Sequence, residues 1–246
     1  MIKFFRKIRQ RLLAENKFSK YLLYGIGEIV LVVIGILIAL QINTWNENRK
    51  SKALAQKYIQ DIRTDLVNDT LTYTAALQRL EKTIAKNTLL ANPEVTAALP
   101  LDSLNALLAN SFHSIRIYKI DNTTYLKLSN TGFLETGHYA DLFKAVNTYY
   151  NKEYTSYSEY IEWDEEQSVD MFHPDFLGSY KNTVLLSNEQ PNEMEVENFR
   201  AFIASKEFRN RTTTNQTRKS MIVDKLRYQK ALALELMEKI DGVLER

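Results

Sequence analysis

The sequence predicts an all-α protein, one transmembrane helix continuing into an elongated helical bundle. Three observations predict it. Residues 21–42 read YLLYGIGEIVLVVIGILIALQI, an apolar run long enough for a bilayer. Beyond it, apolar residues recur at three- and four-residue steps, the period of a helix with one buried face. The four prolines fall at 93, 100, 174 and 191, so the stretches before the first and after the last are free to form long helices. The expected organisation is a cytosolic basic tail at 1–20, a transmembrane helix at 21–43 and an extracytoplasmic helical domain at 44–246.

A helix of 22 residues rises about 33 Å, against roughly 30 Å for the hydrocarbon core of a bilayer. Tyr21 and Tyr24 at one end and Trp45 at the other fall where amphipathic rings prefer the membrane interface. Length and flanks argue against a buried core helix. A cleaved signal peptide is opposed by the long basic region and by Leu40, Gln41, Ile42 and Asn43, which offer no small-x-small cleavage site.

Charge sets the orientation. Lys3, Arg6, Lys7, Arg9, Arg11, Lys17 and Lys20 precede the span, whereas only Arg49, Lys50 and Lys52 follow it closely. The positive-inside rule then places the N-terminus in the cytosol and the large domain in the periplasm, with the span in the cytoplasmic (inner) membrane. Phe5, Ile8 and Leu12 within the tail fit two readings: a short helix lying on anionic lipid headgroups, or a plain topogenic charge cluster.

Residues 1–52 hold ten Lys/Arg and three acids, leaving 22 basic and 27 acidic residues in the remainder. A mildly acidic domain excludes nucleic acid as its partner, since phosphate binding needs a concentrated basic surface. The absence of cysteine removes disulfide frameworks, thiolate metal sites and thiol nucleophiles.

Leu54, Tyr58, Ile62, Leu66, Tyr73, Leu77, Leu80 and Ile84 form an expected apolar seam on a helix running to about Ala91. Asn92-Pro93 reads as a cap and first-turn proline opening a short helix. Two shorter helices follow at 102–112 and 123–131, the second reaching Gly132, where a left-handed residue can end it. Between them, SIRIYKI alternates as a brief strand or extended link would. Next comes a helix from about Tyr139, with Leu142, Val146, Tyr150, Tyr154, Tyr157 and Ile161 on its core face. His173-Pro174 ends it. A polar stretch leads through Pro191 to a final pair, marked by Phe199, Phe202, Ile203 and Phe208 and then by Ile222, Leu226, Ala233, Leu236, Ile240 and Leu244.

The run KFSKYLLYGIGEIVLVVIGILIALQINTWNENRK at 17–50 resembles the opening of a large uncharacterised bacterial family of single-pass membrane proteins, a domain of unknown function. TTYLKLSNTGFLE at 123–135 is similar to that family's Thr-x-x-x-Leu-x-x-Ser-x-Gly helix end, with Thr131 inserted before Gly132. The resemblance implies the topology and no activity.

No glycine builds a phosphate loop or nucleophile elbow, and His113, His138 and His173 form no metalloprotease pair or triad. Glu135-x-x-His138 with Asp170-x-x-His173 has the spacing of a dinuclear iron bundle, and Glu162, Glu166 and Asp170 share a helix face. Gly132 and Gly137 make the first pair read as loop, so no catalytic, cofactor-binding or metal residues are assigned. The unusual group is Glu28, a carboxylate within the span. Gly25, Glu28, Val32, Gly35, Ala39 and Asn43 form a small and polar stripe, and Gly35-x-x-x-Ala39 has the spacing for close helix approach. Two readings stand: Glu28 faces a partner helix, or it lies near the cytosolic interface without function. The sequence therefore points to a non-catalytic interaction or sensor module in the envelope. Its expected partners are membrane lipid, another membrane helix or a second copy of itself, and an unidentified envelope protein. The alternative is an accessory subunit of an ion-driven envelope machine using Glu28.

Overall fold

The structure, a computed structural model, describes residues 18–108, 111–112, 120, 122–131, 139–170 and 191–245. It is all-α, with no strand among the described residues. The helices are α1 (Phe18–Ala91), α2 (Pro93–Ala98), α3 (Leu101–Leu108), α4 (Thr123–Ser129), α5 (Ala140–Asn147), a π-helical turn (Thr148–Glu153), α6 (Tyr154–Asp170), α7 (Glu193–Ala204) and α8 (Lys206–Leu244). The chain divides into two compact units, Met1–Ala55 and Gln56–Arg246. The basic tail up to Lys17, residues 114–119 of SIRIYKI, Gly132 and the linker following Asp170 lie outside the described residues.

In the first unit, the apolar stretch is long and apolar enough to cross a membrane, and none of its most apolar window is buried by the protein. Such a helix is compatible with a single-pass membrane protein. Just beyond it, the Arg49 guanidinium lies 5.5 Å from the centroid of the Trp45 ring, a cation–π pair.

The second unit is built on α8. Arg63 Nε donates to Asp241 at 2.5 Å, Arg227 to Glu81 at 3.0 Å and Gln216 to Thr88 at 2.9 Å. Residue numbers fall along α8 as they rise along α1, so the two helices run antiparallel. Gln229 Nε2 donates to the Glu153 carbonyl at 2.6 Å, and Lys219 to Asp164 at 2.6 Å. That series makes α6 antiparallel to α8 as well.

The seam on α1 differs from the expected one. Buried are Ile59, Ile62, Leu66, Asp69, Tyr73, Ala76, Leu80, Thr83, Asn87 and Leu90, an unbroken three-four alternation. Leu54 is exposed and Ala55 is buried in its place. Tyr58, Leu77 and Ile84 give way to Ile59, Ala76 and Thr83. Counting only large apolar side chains followed neighbouring positions, whereas α8 dictates a heptad seam that admits small and polar residues. Ten of the twelve buried positions of α8 alternate likewise, Phe208, Thr212, Asn215, Lys219, Ile222, Leu226, Gln229, Ala233, Leu236 and Ile240, and Arg218 and Val223 are buried beside them. Leu244 is half-buried.

Leu142, Val146, Tyr150, Tyr154, Tyr157 and Ile161 are all buried, as the sequence predicts. The π turn adds Tyr149 to them. Two consecutive tyrosines point inward there, because the wider turn advances each residue by less than 100°.

At the far end of α1, Asn92 caps α2 through Glu94 N at 3.0 Å, with Pro93 opening the helix. α3 stops at Leu108, short of the expected Phe112. Asn192 and Glu195 form a capping box on α7. Ser205 is the single residue between α7 and α8, and its hydroxyl accepts from Phe208 N at 3.1 Å. Leu90, Leu104, Phe112, Phe199, Phe202, Ile203 and Phe208 then close one apolar cluster.

Asn87 is wholly buried and neither atom of its side-chain amide has a hydrogen-bond partner. Such a group costs about 1–3 kcal/mol. Asn87→Leu, which restores an apolar seam position, is expected to raise unfolding free energy by about that amount, read from the urea midpoint of the full chain in mild detergent. An unchanged or lowered midpoint would show that the amide is satisfied in solution.

Candidate functional site

Gly25, Glu28, Val32, Gly35, Ala39 and Asn43 lie along one side of α1 by their three- and four-residue spacing. Gly25 and Glu28 are half-exposed and the other four exposed. Apart from the adjoining residues and the helix's own backbone, no atom lies within 4 Å of a Cβ built on Gly25 or Gly35. A shallow groove lined by Gly25, Glu28 and Val32, with Leu22, Ile26, Ile29 and Val33, runs along this face. The backbone is therefore open to close approach by another helix, the condition for small-residue packing in lipid.

The second unit holds two buried polar clusters. In the first, Tyr149 Oη donates to Asp69 Oδ2 at 3.1 Å and lies 3.1 Å from Tyr73 Oη. Tyr73 meets Tyr157 edge-on at 5.8 Å, and Tyr150 stacks on Tyr125 at 5.1 Å. Burial pushes Tyr73, Tyr149, Tyr150 and Tyr157 upward, so each keeps its proton and can serve only as a neutral donor or acceptor. The second cluster joins α6 to α8. Asp164 receives Arg218 Nε at 2.7 Å and Lys219 Nζ at 2.6 Å. Arg218 Nη2 also reaches Asn215 Oδ1 at 2.7 Å and Ser168 Oγ at 3.3 Å. Asn215 Nδ2 in turn donates to the Ser111 carbonyl at 2.8 Å. Burial lowers Lys219 to about 8, with Asp164 opposing the shift.

Sequence reasoning placed Tyr73, Tyr150 and Tyr157 on core faces but missed Asp69, Tyr149, Asp164, Asn215, Arg218 and Lys219. The one available signal was periodicity, since Asp69 fills the gap between Leu66 and Tyr73, and Lys219 the step before Ile222. Closed off from solvent, they tie α1 to the π-helical turn and α6 to α8.

Of the metal-like pattern, Glu162 and Glu166 are exposed on α6. His113, Glu135, His138, His173 and the side chain of Asp170 lie outside the described residues. Among the described residues, no three His, Asp or Glu side chains are grouped to hold a metal ion.

The sequence profile of a family of unknown function (DUF6090) matches residues 28–155, more than half of the chain. The chain belongs to that family. No curated protein and no solved structure matches it. The DUF6090 match takes in the apolar part of α1 from Glu28 onward, the α1 seam and the Asp69–Tyr73–Tyr149 cluster. α7, α8 and the Asp164 cluster lie beyond the matched residues.

Proposed function

We propose that this DUF6090 member is a non-catalytic, membrane-anchored interaction module of the cell envelope. Its N-terminus lies in the cytosol, its helical unit lies outside, and it associates through the Gly25–Asn43 stripe with another membrane helix or a second copy. The observation that carries this reading is a single apolar span, unburied by its own protein, bearing a carboxylate on an open small-residue face. A carboxylate in lipid is costly unless a partner helix, water or a proton offsets it. The buried ionic groups of the second unit support the same reading, because Asp69 bonds to Tyr149, and Asp164 to Arg218 and Lys219, rather than facing an open cleft.

A photocrosslinking amino acid placed at Val32 or Ala39 in intact cells should yield a crosslinked product. Placed at Val30 or Leu37, on the opposite side of the helix, it should not. Gly35→Leu should abolish the product, since the added side chain blocks close approach. Glu28→Gln should preserve it, because shape and hydrogen bonding remain. Equal yields from both sides of the helix would refute the stripe. Loss with Glu28→Gln alone would instead favour a titrating carboxylate, as in an ion-driven machine.

A further inference from the structure

Where α6 and α8 meet at the surface, the side chains are of an unusual kind for exposed positions. Trp163, Met221 and Tyr228 are 40%, 43% and 49% exposed. The antiparallel pairing of Asp164 with Lys219 and of Tyr160 with Lys225 sets Trp163 across from Met221. Tyr160 joins them, its ring edge-on to Trp163 at 6.3 Å and carrying Lys225 Nζ at 5.0 Å. Tyr228, one turn along α8 from Lys225 and Asp224, extends the strip. Trp, Tyr and Met are the residues that concentrate in the centres of protein interfaces and are depleted from idle surface.

The strip also has a definite charge. Glu159 and Glu166 stand four residues before and three after Trp163, so they flank it on its helix, and both are exposed. Asp224 lies between Met221 and Tyr228 in the same way, its side chain 80% exposed and 3.7 Å from Arg227 Nη1. Lys225 turns its ammonium onto the Tyr160 ring, and Arg227 is shared between Glu81 on α1 at 3.0 Å and Asp224 at 3.7 Å, which leaves Glu159 and Glu166 as the strip's carboxylates for a partner. An aromatic strip edged by carboxylates is complementary to a segment that brings apolar side chains with Lys or Arg beside them.

The geometry points to the Trp163–Met221–Tyr228 strip as the docking surface for a basic, amphipathic segment of a partner protein. This rests on reading the chain as an interaction module and assigns its outer unit a surface separate from the span. The strip lies beyond residue 155, where the DUF6090 match ends.

Trp45 and Trp163 are the two tryptophans of the chain, so Trp45→Phe makes Trp163 a sole reporter on the strip. That full-length variant, held in nanodiscs of zwitterionic phosphatidylcholine, is titrated with a Trp-free amphipathic peptide of leucine and lysine. A saturable blue shift of Trp163 is expected, and none with the same peptide carrying glutamate for lysine. Adding Glu159→Lys and Glu166→Lys should weaken binding about tenfold or more, and Met221→Glu likewise, with unchanged helical circular dichroism. No shift, or equal affinity after charge reversal, overturns the proposal. A shift that grows with protein concentration before peptide is added also overturns it, by making the strip a contact between copies. Span crosslinking measured on the same charge-reversed variant keeps the two readings apart, since the stripe product should persist whatever happens to the peptide.

Discussion

Asp164→Ala should cost the helical unit about 3–5 kcal/mol, because it leaves the Arg218 guanidinium and the Lys219 ammonium in the core without the carboxylate both contact. Asp164 and Lys219 are fully buried and Arg218 nearly so, so water cannot take the carboxylate's place. Lys219→Met is expected to stay within about 1 kcal/mol of the wild type, since Asp164 and Arg218 remain as a matched pair and the methionine fills the aliphatic space. Combining Lys219→Met with Asp164→Ala should recover part of the loss. Urea unfolding of the full chain in mild detergent, followed by the near-ultraviolet signal of the buried tyrosines, measures all three. An Asp164→Ala cost below about 1 kcal/mol would mean that the cluster opens to water in solution.

The same cluster gives a pH dependence of definite sign. Burial lowers Lys219 from 10.5 to about 8, so the unfolded chain binds its proton more tightly than the folded one. Stability from this group is fully present above 10.5 and is lost as pH falls through about 8. The raised values of the buried tyrosines act in the opposite sense, with stability present below 10.0 and lost at higher pH. Their effects separate between about 8 and 10, where the urea midpoint should rise with pH in the wild type and stay flat in Lys219→Met.

How far the fold was legible in the sequence can be argued from these residues. The long apolar helix was readable because its run of apolar residues is uninterrupted, which composition alone displays. The helices were readable from proline placement and from caps such as Asn92-Pro93. Their exact faces were not. Leu77 matches Leu66 in hydrophobicity, yet Ala76 occupies the seam, because a facing helix rewards a seven-residue repeat and small residues that admit its knobs. Asp69, Asp164 and Lys219 were illegible for a related reason. A charged residue reads as surface until a partner some 50 or more positions away supplies its bond, and no local pattern announces that partner. The stripe on the span needed only helical spacing, whereas the α6–α8 strip needed the register between two helices, which follows from contacts rather than from either sequence segment.

The second large loss is expected from Phe208→Ala, again about 3–5 kcal/mol. Phe208 is 1% exposed and packs edge-on against Phe202 at 5.2 Å and Phe112 at 6.3 Å. Only Ser205 separates α7 from α8, so this ring is the wedge that fixes how α7 folds back over Leu104 and Leu90. Phe208→Leu keeps most of the volume and should recover the larger part of the loss. Residues 208 and 219 are eleven positions apart on α8, about 16 Å along the axis, and share none of the contacts given above. Phe208→Ala and Asp164→Ala should therefore add to within about 0.5 kcal/mol if the unit unfolds as one. If the double variant instead loses much less than the sum, with two transitions in urea, then α7 and the start of α8 form a cap that melts separately from the α1–α6–α8 core.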